Sequence, residues 1–302
     1  MLSRKRQMHY LVTIAEEGQL TAAARRLKVA QPALSQAISQ MEAELGVELL
    51  ERKHRGVKLT PAGAAFLLKA RVALAAEADA VQTAEALARA HRGEITIGFV
   101  GPPPAIITPQ PFAALSESHP QAQVSFRDLP FPHGATRAWL ADVDVAFSHP
   151  PESEAGLDIQ PVRTEPRAVV AQRSHRLAGR KELAVADVLD ETFVSYHRDV
   201  QRRWAGFHSL DDHRGAAPEH TTKDHAFTSL EMLGIISTSP GITTVPYADA
   251  KLAQRVVPHI AAIPLHDANP AVVSLTWRRD NQNPLITTLV SAVLSLGDVH
   301  GV

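Results

Sequence analysis

The chain has 302 residues, with 31 Lys and Arg against 32 Asp and Glu, a formal net charge of −1 and no cysteine. That length accommodates two or three cores, and an apolar share of 45 % fits a folded globular protein rather than a disordered one. The missing cysteines exclude disulfides, thiolate zinc sites and a thiol redox sensor, and no apolar run reaches the roughly eighteen residues of a membrane-crossing helix. The N-terminus is rich in Arg and Lys with no apolar stretch behind it, so no signal peptide is predicted and a cytoplasmic location is expected. The charge is uneven. Residues 1–60 hold ten Lys and Arg against six Glu, a net +4, and the remainder carries −5. A basic head on an acidic body is expected where only the head meets a polyanion, although a solvated surface gives the same count.

Arg4 to Glu17 has helical spacing, with Met8, Leu11, Val12 and Ala15 on one face, and Gly18 ends it. Thr21 is placed to cap a second short helix running to about Lys28. Its Ala22, Ala23 and Ala24 let another helix cross closely. Val29 and Ala30 break the pattern, and Pro32 suits the first turn of a third helix. Leu34, Ile38, Met41 and Leu45 face inward along that helix, with Gly46 just past its end. Its other face is Gln31, Ala33, Ser35, Gln36 and Ser39, neutral and rich in hydrogen-bonding groups. Gln bonds adenine edges bidentately and Ser bonds either kind of edge. A helix-turn-helix presents such residues, from the start of its second helix, to bases; an ordinary helical hairpin buried in a core is the plainer alternative.

Val47 to Leu50 and Val57 to Leu59 read as two strands around a turn holding Arg52, Lys53, His54, Arg55 and Gly56. That is a wing with a basic tip, suited to phosphate or minor-groove contact. Thr60 then caps a long helix that begins at Pro61.

The stretch "EEGQLTAAARRLKVAQPALSQAISQMEAELGVELLERKHRGVKLTPAG" resembles the winged helix-turn-helix of LysR-type transcriptional regulators. Its Ala-Ala-x-x-Leu, Gln-Pro-Ala-Leu-Ser, Glu-x-x-Leu-Gly, Leu-x-x-Arg and Leu-Thr-Pro-Ala-Gly elements stand in that family's order. Ala30 stands where a Ser is common, and Gln36 where an Arg is common. The resemblance implies base reading by Gln31, Ser35 and Gln36 with Pro32 among them at the DNA, Thr21 and Arg25 near the DNA backbone, and Arg52, Lys53 and Arg55 on phosphate or in the minor groove. Double-stranded DNA is thus the expected partner, with RNA polymerase as a further one if the protein activates transcription.

Residues 61–91 form an Ala-rich helix whose stripe of Leu67, Ala70, Leu74, Ala78, Val81, Ala84 and Ala88 follows the 3.6-residue period. Packing on the chain's own body or on a second copy would cover it. The resemblance implies the second: antiparallel pairing of such helices into a dimer, or a tetramer built of dimers. From residue 92 strands and helices alternate, which predicts parallel α/β structure. Strands are expected at Ile95–Val100, "AQVSFRDL", "DVDVAFSH", around Pro161 and Val169, and at "ETFVSYH", "GIISTS", "GITTVP" and "AVVSLTWRR". Helices are expected near 105–118, 134–141, 200–210, 224–233, 247–254 and 284–296.

The expected fold class is therefore α/β with an all-α, winged N-terminal head. It comprises a winged helix-turn-helix (1–60), a linker helix (61–91) and an effector domain (92–302). The last is similar to the two-lobed, type 2 periplasmic-binding-protein-like domain of LysR-type regulators, with lobe I at about 92–165 and 268–302 and lobe II at about 166–267. The resemblance implies a small-molecule effector between the lobes, a carboxylic acid being the candidate class. Topology nominates Gly101, Pro102, Pro104, Phe131, His133, Phe147, Ser148 and His149 from one lobe and Ser195, Tyr196 and His197 from the other. Pro102, Pro103 and Pro104 remove three amide donors, so the effector is held differently from a typical carboxylate, is less anionic, or is absent. Among the 15 histidines, His208, His213, His220 and His225 cluster with Asp211, Asp212 and Asp224; a solvated loop is the favoured reading over a metal site. No cofactor, metal or catalytic residue is expected, because no nucleophile elbow, zinc-protease motif or phosphate loop occurs. A regulator is the reading the residues favour; a solute-binding or enzymatic α/β protein with an oligomerising head is the alternative.

Overall fold

The computed structural model describes residues 3–53, 56–101, 110–134, 138–149 and 154–295. It divides into two units, Met1–Val81 and Gln82–Val302. The first unit holds α1 (Arg4–Glu17), α2 (Leu20–Arg26), α3 (Gln31–Leu45), the hairpin β1 (Leu50–Lys53) and β2 (Gly56–Leu59), and most of α4 (Pro61–His91). Gly18 and Gly46 end α1 and α3 in the left-handed conformation, which costs a glycine least. The buried face of α1 is Gln7, Tyr10, Leu11 and Ile14. The expected Met8, Val12 and Ala15 are only half-buried. Periodicity fixed the helix but not its rotation, which follows the larger Tyr10–Ile14 surface into the core.

Thr21 does not cap α2: Gln19 holds that position without a side-chain bond, and Thr21 lies exposed in the first turn. The helix closes when Val29 N–H donates to Ala24 O (3.0 Å), with Lys28 at φ 54°. Ala23, Ala24 and Ala37 are at most 4 % exposed, so small side chains do let α2 and α3 approach closely. Leu34, Ile38 and Met41 are buried, whereas Leu45, in the last turn, is 39 % exposed.

The hairpin runs in register from Leu50↔Leu59 to Lys53↔Gly56. Arg52 and Lys53 therefore lie in a strand rather than in the turn, and that strand starts at Leu50, not Val47. The reason is Glu42, whose Oε1 accepts the N–H groups of Leu49 (2.7 Å) and Leu50 (3.0 Å). Thr60 Oγ1 accepts from Gly63 N (2.9 Å) and donates to Glu48 O (2.7 Å), capping α4 as expected. A Cβ on Gly63 would collide with the Leu49 carbonyl, so this glycine is needed for close approach rather than for its dihedral freedom.

The second unit contains the end of α4, then β3 (Glu94–Val100), α5 (Gln110–Ser118), β4 (Gln123–Leu129), β5 (Val145–Ser148), β6 (Leu157–Glu165) and β7 (Arg167–Gln172). There follow β8 (Phe193–Tyr196), α6 (Arg202–Ser209), α7 (Asp211–Arg214), β9 (Thr221–Ala226), α8 (Ser229–Thr238), β10 (Thr243–Pro246), α9 (Tyr247–Val256), β11 (Ile260–Pro264), β12 (Ala271–Arg278) and α10 (Pro284–Ser295). One sheet has the order β4-β3-β5-β12-β6 and another β10-β7-β11, with β8 and β9 paired separately. The sheets are mixed rather than parallel. β3 is parallel to β4 and β5, but β12 runs against β5 and β6, and β10 and β11 both run against β7. Alternation in sequence dictates direction only within one β-α-β unit; a strand that returns from the other lobe, as β12 does, enters free of that rule.

Other expectations fail locally. "GIISTS" belongs to α8, which opens on a capping box between Thr228 and Glu231; that box is a helix-start signal. The helix expected at 224–233 begins only at Ser229, because Thr221–Ala226 pairs as β9. Of the helix expected at 134–141 only a 3₁₀ turn, Ala138–Leu140, is present among the described residues. β11 was not expected, and it pairs along its length with β7. No described helix is long and apolar enough to cross a membrane.

A shared apolar core joins the two lobes of this unit: Phe131, Trp139 and Leu140 pack with Trp204, Met232 and Val245. Backbone bonds join them too. Phe131 N donates to Phe227 O (2.9 Å), Gln201 N to Pro132 O (2.8 Å) and Gly134 N to Asp199 O (3.1 Å). Arg203 also meets Glu154 at 3.0 Å. The lobes are thus fastened by side chains and backbone around Phe131–Gly134.

Candidate functional site

Two surfaces bring functional candidates together. On the first unit, the start of α3 shows Gln31, Pro32, Ala33 and Gln36 exposed, with Ser39 further along. Ser35 is half-buried and faces Leu20, Leu50 and Val57, the side of α2 and the hairpin. Arg25 and Arg26 part ways. Arg26 is held by Glu16 and Glu17, each at 3.0 Å, while Arg25 is exposed beside the exposed Thr21. Arg52 and Lys53 sit at the end of β1, and Arg55 lies outside the described residues. An outward neutral amide face flanked by a solvated arginine can form directional bonds to base edges and one charge contact to a phosphate.

The second surface is a cleft of about 460 Å³ between the lobes, part of it open to solvent. Gly101, Phe131 and His149 line it. The other described candidates do not. Phe147 stacks on Phe99 (5.6 Å between centroids) in the core under β3 and β5, and Ser148 Oγ lies 3.1 Å from Thr276 Oγ1. Strand alternation decides this: neighbouring residues on β5 point to opposite faces, and both faces are covered. His133 donates to Phe131 O (2.9 Å) and packs on Phe227. Ser195 meets His225 (2.7 Å) at the surface, and His197 is exposed beside Asp199. Tyr196 is adjacent to the cleft rather than in its wall, with its hydroxyl between Thr243 Oγ1 (2.9 Å) and Met232 Sδ (3.4 Å); burial pushes its pKa up. Pro102 and Pro104 lie outside the described residues.

His149, expected there beside Phe147 and Ser148, does line the cleft, and residues that the sequence did not nominate form much of the rest of the wall: Trp204, His208, Ser229, Met232 and Asp249. Some signals were present. Trp204 and His208 are four apart on α6 and so share a face, Ser229 follows the Thr228 cap, and Asp249 lies in the first turn of the helix after β10, where open α/β sheets bind ligands.

Burial governs the charges in this cleft. It pushes the His149 pKa down to about 3, with His208 and Arg163 adding to the shift. Burial likewise lowers His208 to about 4, although Nδ1 is bonded to Thr244 O (2.8 Å). It raises Asp249 to about 8, Glu165 reinforcing and Arg163 opposing. At neutral pH all three groups are therefore uncharged, and the 3.7 Å between His149 Nε2 and Asp249 Oδ2 is a polar contact rather than an ion pair. Of the clustered histidines, His208 bonds Thr244 O, His213 accepts from Asn269 N (2.9 Å) and His225 meets Ser195. Among the described residues no three His, Asp or Glu side chains converge as metal ligands.

Residues 6–64 match the family described as "Bacterial regulatory helix-turn-helix protein, lysR family", and residues 88–297 the family described as "LysR substrate binding domain". The chain is 30 % identical over 285 residues to the HTH-type transcriptional regulator TfdS of Cupriavidus pinatubonensis (strain JMP 134 / LMG 1197), covering 93 % of this chain and 94 % of that one. It is 28 % identical over 284 residues to the HTH-type transcriptional regulator AlsR of Bacillus subtilis (strain 168), covering 93 % and 92 %. In fold it is similar to full-length BenM, at 24 % identity and a TM-score of 0.51, over 97 % of this chain and 96 % of that one.

Proposed function

We propose a division of labour for this chain, which belongs to the LysR family of DNA-binding transcriptional regulators. Residues 1–60 read DNA, 61–91 pair with a second copy, and 92–302 bind a small-molecule effector between lobe I (about 92–165 and 268–302) and lobe II (about 166–267). The start of α3 enters the major groove, where Gln31 and Gln36 contact base edges, with Pro32 and Ser35 beside them. Thr21 and Arg25 meet the DNA backbone, and Arg52, Lys53 and Arg55 bring the hairpin to phosphate or the minor groove. The observation that carries this reading is the exposed, neutral Gln31–Gln36 face beside the unengaged Arg25.

The pairing surface of α4 differs from the stripe that periodicity suggests. Leu67 and Ala70 are buried within the head, so they are not available to a partner. Leu68 and Val72 are 64 % and 61 % exposed, and Val81 and Leu87 are each 49 % exposed. A second copy of the helix would cover such residues and supply the second reading head that a palindromic site needs. Dimers or tetramers acting in the cytoplasm, with RNA polymerase as a partner when transcription is activated, complete the reading.

An effector shifts the protein only by its differential affinity for two states, a coupling of about 1–3 kcal/mol. The fastening of the lobes near Phe131–Gly134 favours repacking of the shared core over free hinge opening. The test is binding of the purified protein to the DNA upstream of its own coding sequence across a salt series. Affinity well above that for scrambled DNA, falling steeply with salt, is expected. Equal affinity for both sequences at every salt concentration would refute sequence-specific reading there, and a Gln31→Ala variant with unchanged operator preference would remove Gln31 from the reading face.

A further inference from the structure

We propose that the inter-lobe cleft takes an uncharged, largely apolar molecule bearing a hydroxyl group, rather than the carboxylic acid the family resemblance suggests. The inference rests on reading this cleft as the effector site, and names the chemistry of the occupant.

The walls exclude an anion first. Phe131, Met232, Leu233, Val245 and Ala253 make the cleft apolar, and among the described residues no Lys or Arg lines it. The two nearby guanidinium groups each already face a carboxylate. Arg163 bonds Glu165 at 2.6 Å, and Arg167 is held by Asp212 at 3.0 Å. A carboxylate here would lose its hydration and meet no cation among the described lining residues.

Unpaired polar atoms then specify what is wanted. His208 must donate through Nδ1, because its partner there is the Thr244 carbonyl oxygen. A neutral imidazole has one donor nitrogen and one acceptor, so His208 Nε2 is an acceptor, and it is buried without a partner. Trp204 Nε1, a donor, is also buried without a partner, as is Ser229 Oγ. Trp204 and His208 are 2 % and 5 % exposed, with ring centroids 6.5 Å apart. Buried groups left unbonded are costly, and these belong to residues around one cleft. A hydroxyl donates and accepts at once, so it serves His208 Nε2 while accepting from Trp204 or Ser229. A carboxylate cannot donate to His208, and an ammonium cannot accept from Trp204.

Isothermal titration of the full chain at pH 7 with 2-phenylethanol, phenylacetate and 2-phenylethylammonium tests this, since the three share a ring and differ in charge. The alcohol is expected to bind roughly tenfold or more tighter than either ion. Trp204→Phe and Ser229→Ala, mild changes of shape, are expected to weaken the alcohol about three- to tenfold, the loss of one hydrogen bond, and to leave phenylacetate as it was. Tighter binding of phenylacetate, or of the ammonium, overturns the proposed ligand class while leaving the cleft as the effector site. Alcohol binding that neither variant alters puts the molecule elsewhere and overturns the proposal. Absence of binding by all three, with DNA binding intact, removes the cleft as an effector site and the proposal with it.

Discussion

Asp212→Asn should destabilise the second unit more than Arg167→Met, although each removes one half of the same ion pair. Arg167 is 1 % exposed, and its guanidinium meets Asp212 at 3.0 and 3.2 Å, Thr244 Oγ1 at 2.8 Å and the Phe207 carbonyl, with its carbon 4.3 Å from the Phe207 ring centre. The Asp212 side chain is 36 % exposed and also bonds Asn269 at 3.2 Å. When methionine replaces Arg167, the carboxylate keeps Asn269 and water, and Phe207 O keeps the Thr244 hydroxyl at 3.0 Å. The cost is then about 1 kcal/mol, because the carboxylate left behind is partly solvated and is not a buried, uncompensated charge. Asparagine at 212 leaves a buried cation facing only neutral partners, at a cost of about 3 kcal/mol or more. The double variant should fall near Arg167→Met alone, a coupling of roughly 3 kcal/mol. All three tryptophans, Trp139, Trp204 and Trp277, lie in the second unit, so urea unfolding followed by tryptophan fluorescence reads that unit without the head. Burial acts to raise the Asp212 pKa, but Arg167 outweighs it and the net shift is downward. The pair therefore contributes in full above the ordinary carboxylate range and fades as pH falls through the lowered value. A cost for Asp212→Asn no greater than that for Arg167→Met would refute the reasoning.

The cleft groups set a pH profile. His149 and His208, at about 3 and about 4 when folded, bind fewer protons than the unfolded chain between there and about 6.5, so their contribution is complete above 6.5 and lost as pH falls. Asp249, at about 8, works oppositely, losing stability as pH rises from about 4 to 8. Stability of the second unit should thus peak near pH 6.5, and Asp249→Asn should abolish the alkaline decline; a decline of equal slope in that variant would refute the assignment. Gly63→Ala forces a Cβ into the Leu49 carbonyl and should cost the head about 3 kcal/mol, abolishing DNA binding while the fluorescence transition stays in place. Glu42→Gln removes the charged acceptor from the Leu49 and Leu50 amides and should speed their hydrogen exchange about tenfold, about 1.4 kcal/mol of lost protection. Gln36→Arg adds a cation to the exposed face of α3 and should steepen the salt dependence of DNA binding by about one unit of slope; an unchanged slope would place Gln36 away from the phosphates.

What the sequence determined by itself is the head. Its signals are local. Gly18 and Gly46 end helices, Pro32 opens α3, and Thr60, Pro61 and Gly63 start α4, each acting through neighbours within a few residues. The order of these motifs also carried the family resemblance. Local signals did not fix how α1 is rotated, where the hairpin strand begins or which α4 residues stay exposed, because those depend on what packs against them. In the second unit the sequence marked most strands and helices, yet not their directions, and it missed β9 and β11, which exist through pairing with distant partners. The cleft was the least legible part. His149, Trp204, His208, Ser229 and Asp249 are spread over about a hundred residues, and apart from the i, i+4 pair Trp204 and His208 nothing in their spacing joins them. Their character is likewise tertiary. Whether a histidine is a solvated base or a neutral acceptor, and whether an aspartate is an anion or an acid, follows from burial, and only the packed lobes supply that.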